Sequence, residues 1–217
     1  MFHSFDKLYL EDAQTLLANA FDYALTDCKF EPIFLMHCLS MSIVIKEYER
    51  GNPSIISGTG AYEFIQKIIS PILPDFIFPE ATFSKDRSPA YWAGWALAYY
   101  QWYSAKSFKD IFERIPLLDI LSMYKIYHEM DIMRFVDDME ARYNSIVLDS
   151  KLKTIREARG LSQNKLAIIS GVNKRSIQLY EQRVNDIDKA QAQTLFKLSR
   201  ALGCNIEDLL ESPEKDQ

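Results

Sequence analysis

The chain has 217 residues, of which 48% are hydrophobic and 25% charged, a composition typical of a globular protein and unlike that of a disordered one. No run approaches the roughly 18 consecutive apolar residues of a membrane-spanning helix, so we expect no membrane association. Only 7 glycines and 8 prolines interrupt the chain, which favours helices over a many-turned β-sandwich.

Charge is distributed unevenly along the chain. The total of −5 is mild evidence against nucleic-acid binding, but residues 1–149 carry −8 (13 Lys and Arg, 21 Asp and Glu) and residues 150–217 carry +3 (12 and 9). This asymmetry predicts an acidic module joined to a basic one. We therefore expect an N-terminal domain over 1–149, a C-terminal domain over 150–212 and a polar tail over 213–217.

Helices are predicted throughout the N-terminal domain. A helical apolar period covers 5–25, and a denser apolar run over 33–48 predicts one central helix that ends at Gly51-Asn52-Pro53. Residues 54–60 are predicted to form a loop and 70–88 an irregular segment. The remaining helices are expected at 61–69, from Pro89 behind a Ser88 cap, at 107–129 with a break at Pro116, and at 131–145.

The helix that begins at Pro89 contains all three tryptophans. Trp92, Trp95, Tyr99 and Trp102 follow one another at spacings of three, four and three, which places them on one helical face. Such a face is interpreted in two ways: as aromatic packing in the core, or as a surface that binds a partner protein. Gly94 would let another helix approach closely.

Five short helices are predicted in the C-terminal domain, at 151–159, 162–169, 173–182, 188–202 and 206–211. Within them, Ala167, Gly171, Ile177 and Tyr180 stand at the spacing of a helix-turn-helix. Such a motif needs a small residue where two helices cross, a glycine in the turn and an apolar inner face on the following helix. The outer face of that helix stays free for the major groove of DNA.

The segments LSQNKLA (161–167), SGVNKRSIQLYE (170–181) and KAQAQTLFKLSRALGCNIEDLL (189–210) resemble the Cro and lambda-repressor (Xre) type of helix-turn-helix domain. The resemblance implies an all-α chain whose C-terminal part binds DNA. It also implies that Gln163 contacts backbone phosphate and that Lys174, Arg175 and Gln178 read bases, with Asn173 at the entry.

Two features depart from that pattern. Ile168 and Ile169 replace a polar pair, and we expect at least one of them to face outward and to be covered by the N-terminal domain or by a second copy. The connection QRVNDID (182–188) lacks the expected Gly and Pro, although Arg183 is well placed for a phosphate.

Catalytic and metal-binding functions are not indicated. Cys28, Cys38 and Cys204 are too few and too scattered for a disulfide framework, which suggests a reducing cytoplasm, and the acidic start MFHSFDKLYLED is unlike a secretory signal peptide. No residues form a recognised metal set, a nucleophile with its base, or a phosphate-binding loop. We expect a protein that is not an enzyme, with no metal and no cofactor.

The sequence as a whole predicts a cytoplasmic DNA-binding repressor. One such domain is too small for tight specific binding, so we expect a homodimer on a palindromic double-stranded operator. An acidic helical domain beside a basic Xre-type domain resembles the antitoxin of a toxin–antitoxin pair, with the toxin as its protein partner. The alternative is a one-component regulator that senses a small apolar ligand in residues 1–149.

Overall fold

The computed structural model describes residues 3–82, 87–146 and 149–211. The chain divides into two compact units, residues 1–146 and 147–217. The described residues of both units form helices and contain no strand, so the all-α prediction is confirmed. No helix among them is long and apolar enough to cross a membrane. The predicted polar tail, 213–217, lies outside the described residues.

Unit 1 consists of helices, most of them joined by short connections. The long connection over 70–88, predicted to be irregular, contains no helix among its described residues. A 3₁₀ turn (Lys7–Tyr9) precedes the first helix and a π-helical turn (Tyr23–Asp27) follows it. The α-helices are α1 (Leu10–Asp22), α2 (Pro32–Met41), α3 (Ile43–Glu49), α4 (Pro53–Ile56), α5 (Ala61–Ile69), α6 (Pro89–Ser104), α7 (Phe108–Arg114), α8 (Leu117–Ser122), α9 (Tyr124–Tyr127) and α10 (Ile132–Ser145).

Helices α1 and α6 form the centre of unit 1 and run antiparallel. Ser88, the N-cap of α6, donates a hydrogen bond to Asp22 at the end of α1, while the Ser4 N–H, before α1, donates to the Trp102 carbonyl near the end of α6 (3.0 Å). At Gly94 the two backbones are so close that a Cβ atom would lie 2.5 Å from the Leu17 carbonyl oxygen. The close approach expected at Gly94 is therefore present, and α1 is the helix that makes it.

The predicted single helix over 33–48 is wrong. Ser42 has an extended backbone (ψ 132°) and its hydroxyl accepts hydrogen bonds from the N–H groups of Val44 and Ile45, so α2 ends and α3 begins with a new cap. A serine competes with the helical hydrogen bonds in this way even within an apolar run. One side of this run also lies at the surface and not in the core, because Ile33 and Met41 are largely exposed.

A second local correction concerns the predicted loop 54–60. Residues Pro53–Ile56 form α4, a single turn that begins at proline and is capped by the Asn52 side chain. A helix of four residues is too short to show a helical period in the sequence. The short helix predicted from 61 is present as α5, and Ser88 caps α6 as expected.

Unit 2 contains four α-helices and two 3₁₀ turns among its described residues. They are α11 (Lys151–Ala158), α12 (Gln163–Ser170), α13 (Lys174–Glu181), a 3₁₀ turn (Ile187–Lys189), α14 (Ala192–Leu202) and a 3₁₀ turn (Glu207–Leu209). The last turn stands where the fifth helix was predicted. Leu152, Leu166, Ile177, Leu198 and Leu209 form the centre of its own small core.

Candidate nucleic-acid interface

Helices α12 and α13 are joined by a tight turn. Gly171 has a φ of +65°, a conformation that only glycine adopts at little cost, and its N–H donates to the Ala167 carbonyl (2.9 Å). The Ser170 hydroxyl donates to the Leu166 carbonyl (2.6 Å) and accepts from the Val172 N–H (3.2 Å). These bonds set the direction in which α13 leaves the turn.

One side of α13 belongs to the core and the other is open. Ile177 is fully buried, whereas Asn173, Lys174 and Arg175 are exposed and Gln178 is half-buried. The Asn173 Oδ1 atom accepts a hydrogen bond from the Arg175 N–H (2.8 Å), so its amide group caps the helix with the oxygen and keeps its NH₂ donors outward. The outer face of α13 therefore presents amide and cationic donors of the kind that read base edges.

A buried ion pair joins α11 to the end of α13. Arg156 Nε lies 2.6 Å from Glu181 Oε1 and Arg156 Nη2 lies 3.0 Å from Glu181 Oε2, with the two side chains 8% and 2% exposed. Arg156 Nη1 also donates to the Leu161 carbonyl (2.7 Å), which satisfies the guanidinium further. This pairing with Glu181 raises the pKa of Arg156 and keeps it charged.

Sequence reasoning missed this pair, although a signal was present. Arg156 follows Leu152 by four residues and Glu181 follows Ile177 by four, so each charge stands on the apolar inner row of its own helix. A charge on an inner row needs a partner of opposite sign, because an unpaired buried charge is costly.

Gln163 is held by the same cluster. Its Nε2 atom donates to Glu181 Oε2 (2.7 Å), which uses one of the two amide hydrogens and fixes the side chain at the first turn of α12. The second amide hydrogen remains for a phosphate or a water. The phosphate contact predicted for Gln163 stays a prediction.

Arg183 occupies a strained backbone position just after α13. Its φ is +55°, so it supplies the left-handed residue that glycine usually provides after a helix, which explains how the connection forms without Gly. Its guanidinium donates to Glu211 Oε2 (2.9 Å) and to the Asp149 carbonyl (3.4 Å). The predicted phosphate contact of Arg183 would therefore have to share or replace the Glu211 partner.

Ile168 and Ile169 both lie exposed on α12, so the expectation that at least one faces outward is confirmed. What covers them stays a prediction.

The aromatic face predicted on α6 is divided by the fold. Trp92 and Trp102 are buried, with Trp92 edge-on to Phe135 (centroids 5.4 Å apart) and Trp102 Nε1 donating to the Phe5 carbonyl (2.9 Å). Trp95 and Tyr99 are half-buried and reach the surface. The core interpretation therefore applies to Trp92 and Trp102. Of these four residues, only Trp95 and Tyr99 are exposed enough to contact a partner.

One cleft of unit 1 lies apart from the aromatic face of α6. The cleft is open and lies where α2 and α6 begin, lined by residues such as Leu25, Lys29, Phe30, Pro32 and Leu121. None of the tryptophans lines it. No cluster of three or more potential metal ligands occurs in the described residues.

Comparison with known protein families identifies the class of unit 2. A helix-turn-helix family model (HTH_3) matches residues 152–209, a range that spans α11 to the last 3₁₀ turn. Unit 2 is thus a helix-turn-helix domain of the Cro and lambda-repressor (Xre) type, and the chain carries the DNA-binding domain of a transcriptional regulator. Neither the curated proteins nor the solved structures compared with the chain gave a match.

Proposed function

We propose that this chain is a cytoplasmic, dimeric repressor that binds a palindromic operator through α13 and a protein partner through unit 1. The observation that carries the DNA-binding part is the exposed cationic and amide face of α13 on a buried, ion-paired support. Lys174, Arg175 and Gln178 would contact base edges, because their side chains project from the free face of the helix.

Two further contacts would hold the DNA backbone. Gln163 stands in the first turn of α12, where the helix dipole favours an anion, and Arg183 follows α13. Phosphate contacts of this kind set register, while the α13 contacts set sequence. A dimer would supply two such surfaces to half-sites roughly 34 Å apart.

The partner-binding part rests on charge and on the surface of α6. Four aromatic residues reach the surface there at spacings of four: Tyr91, Trp95, Tyr99 and Tyr103, all half-buried. They form one row about 18 Å long on an acidic unit, since residues 1–149 carry −8. Aromatic side chains on a unit of net negative charge suit a basic protein, and we propose a toxin whose antitoxin this chain is.

Selection of operator DNA tests the first part. The full-length protein is used to select binding sites from random double-stranded DNA, and the number of proteins per site is measured by light scattering of the complex. We expect an inverted repeat bound by two copies, and repression of a reporter that carries it. Arg175→Ala should relax the selected preference at one base pair, whereas Lys197→Ala, an exposed cation on α14, should leave it unchanged. Selection of no preferred sequence would contradict the proposal.

Co-purification tests the second part. The full-length chain is expressed with the product of the adjacent gene, and the dissociation constant is compared with that of Trp95→Ala/Tyr99→Ala. We expect a complex that weakens at least tenfold in the double variant but not in Tyr62→Ala, a half-exposed tyrosine of α5. A thermal shift with small apolar metabolites and none with the neighbouring gene product would instead favour the ligand-sensing alternative.

A further inference from the structure

Unit 1 contains two long segments without a charged side chain, and the fold treats them differently. Residues 88–105 form α6 and its caps, and most of their side chains are buried, as the absence of charge predicts. Residues 32–45 form α2 and the start of α3, yet this segment reaches the surface along one side. The second segment is therefore uncharged without being covered by the rest of unit 1.

The exposed side of α2 is a single row. Ile33, His37 and Met41 stand at spacings of four residues and together define what we call the α2 face, about 12 Å long. Ile33 is 71% exposed and Met41 65%, while Leu35 and Leu39 on the opposite side are fully buried. The aliphatic exposure continues into Ile43 of α3, at 76%.

A neighbouring helix carries a further exposed aliphatic residue. Helix α8 packs against α2, and its Leu118 is exposed as well. Large aliphatic side chains grouped on an uncharged helix are typical of an interface, since leaving them in water forgoes roughly 25 cal/mol for each Å² of apolar area. These side chains would form the dry centre of a contact whose outer part is polar.

We infer that the α2 face is the surface on which a second copy of this chain docks, an inference that rests on the dimer proposed above. Two copies of an acidic domain repel each other, so they are expected to meet where neither presents a carboxylate. A basic partner would gain no ion pair from the row Ile33, His37 and Met41, which carries no carboxylate. When two copies are related by a two-fold axis, the α2 face of one copy packs on the α2 face of the other, so apolar area in each copy is covered by apolar area.

The charges that bound the segment agree with a two-fold contact. Glu31 precedes α2 and Lys46 lies on α3 just after the uncharged run, and both are exposed. A two-fold axis across the row makes the two α2 helices antiparallel, so the end that carries Glu31 points toward the end that carries Lys46 of the second copy. Opposite charges then face each other at both ends of the apolar centre.

Charge-swap variants at the middle of the row test the inference. His37 lies near the two-fold axis, so His37→Glu and His37→Lys each bring like charges together, and we expect both full-length variants to be monomers by sedimentation. An equimolar mixture should form a heterodimer, since the charges are then opposite. Leu8→Glu introduces the same charge at an exposed aliphatic residue outside α2 and should leave the dimer intact.

Each outcome is decisive. A wild-type monomer overturns the inference together with the proposed dimer, whereas a dimer that persists in both His37 variants overturns only the assignment to α2. Monomers that do not recombine on mixing also overturn it. If either charged variant loses its helical circular dichroism, the neutral variant Ile33→Ser/Met41→Ser replaces it and should dimerise at least tenfold more weakly than wild type.

Discussion

Arg156 and Glu181 form a two-bond ion pair inside unit 2, with Nε–Oε1 and Nη2–Oε2 distances of 2.6 and 3.0 Å. The pair joins α11 to the end of α13, and Gln163 of α12 donates to the same carboxylate. One buried glutamate therefore fixes three helices of the DNA-binding domain relative to one another. The direction of α13, which decides what its outer face contacts, depends on it.

Glu181→Gln should destabilise the protein by about 3–5 kcal/mol, because it leaves the Arg156 charge buried without a counter-charge. Urea unfolding followed by circular dichroism measures the change. Glu157→Gln is the matched control, since Glu157 contacts the same guanidinium (3.1 Å) from a side chain that is half exposed, and it should cost less than about 1 kcal/mol. Equal losses in the two variants would show that burial of the pair is unimportant.

Arg175→Ala should weaken operator binding by about 1–3 kcal/mol and relax the preference at one base pair, because it removes a donor to a base edge. Gln163→Ala should weaken binding to all sequences alike, since a phosphate contact carries no sequence information. Fluorescence anisotropy with the selected operator and its single-base variants distinguishes the two patterns. If Arg175→Ala behaves like Gln163→Ala, Arg175 does not read a base.

Ala105→Gly should stabilise unit 1 by about 0.5–1 kcal/mol. Ala105 ends α6 in the left-handed conformation (φ +54°), where a Cβ atom is unfavourable and glycine is not. Chemical denaturation measures the gain. Ala141→Gly, an exposed residue within α10, should have the opposite sign because glycine inside a helix costs about 1 kcal/mol. A loss of stability in both variants would refute the backbone explanation.

Gly94→Ala should destabilise unit 1 by about 3 kcal/mol, at the upper end for an overpacked core. The added methyl group would lie 2.5 Å from the Leu17 carbonyl oxygen and 2.9 Å from the Ala18 Cα atom, and backbone atoms cannot rotate away. Thermal unfolding monitors the change. Gly60→Ala, where a Cβ atom meets nothing within 4 Å, should cost less than about 1 kcal/mol, because its only penalty is that alanine caps α5 less well than glycine. A small effect at position 94 would mean that α1 and α6 separate easily.

Glu49 should make stability depend on pH. Burial raises its pKa to about 7. The hydrogen bond that Oε1 accepts from the Phe108 N–H (2.5 Å) lowers the pKa, but by less than burial raises it. The unfolded chain loses this proton near pH 4.3, so between about pH 4.3 and 7 the folded state holds more protons, and the contribution of Glu49 to stability falls as pH rises.

Glu49→Gln removes this dependence while its side-chain oxygen can still accept from Phe108. The stability of the variant relative to wild type should therefore increase from pH 5 to pH 7 and become constant above pH 8. Urea unfolding of both proteins across that range gives the difference. A difference that does not change with pH would show that Glu49 titrates normally in the folded protein.

Local patterns were sufficient for much of the fold. The Ser88-Pro89 start of α6 and the Gly171 turn were predicted because caps, proline and left-handed glycine act within a few residues. Ser42 shows the limit of such patterns. The apolar period continues through it, and only the hydrogen bonds of its hydroxyl reveal that α2 ends there.

The sequence by itself determined the class of unit 2 and the residue types on the outer face of α13, because helix-turn-helix spacing follows from the geometry of two short helices. The tertiary structure decided the rest. Contacts between distant segments buried Trp92 and Trp102 while leaving Trp95 at the surface, and they paired Arg156 with Glu181 across 25 positions. Such pairings depend on how helices pack on one another, and that packing is not contained in the period of any single helix.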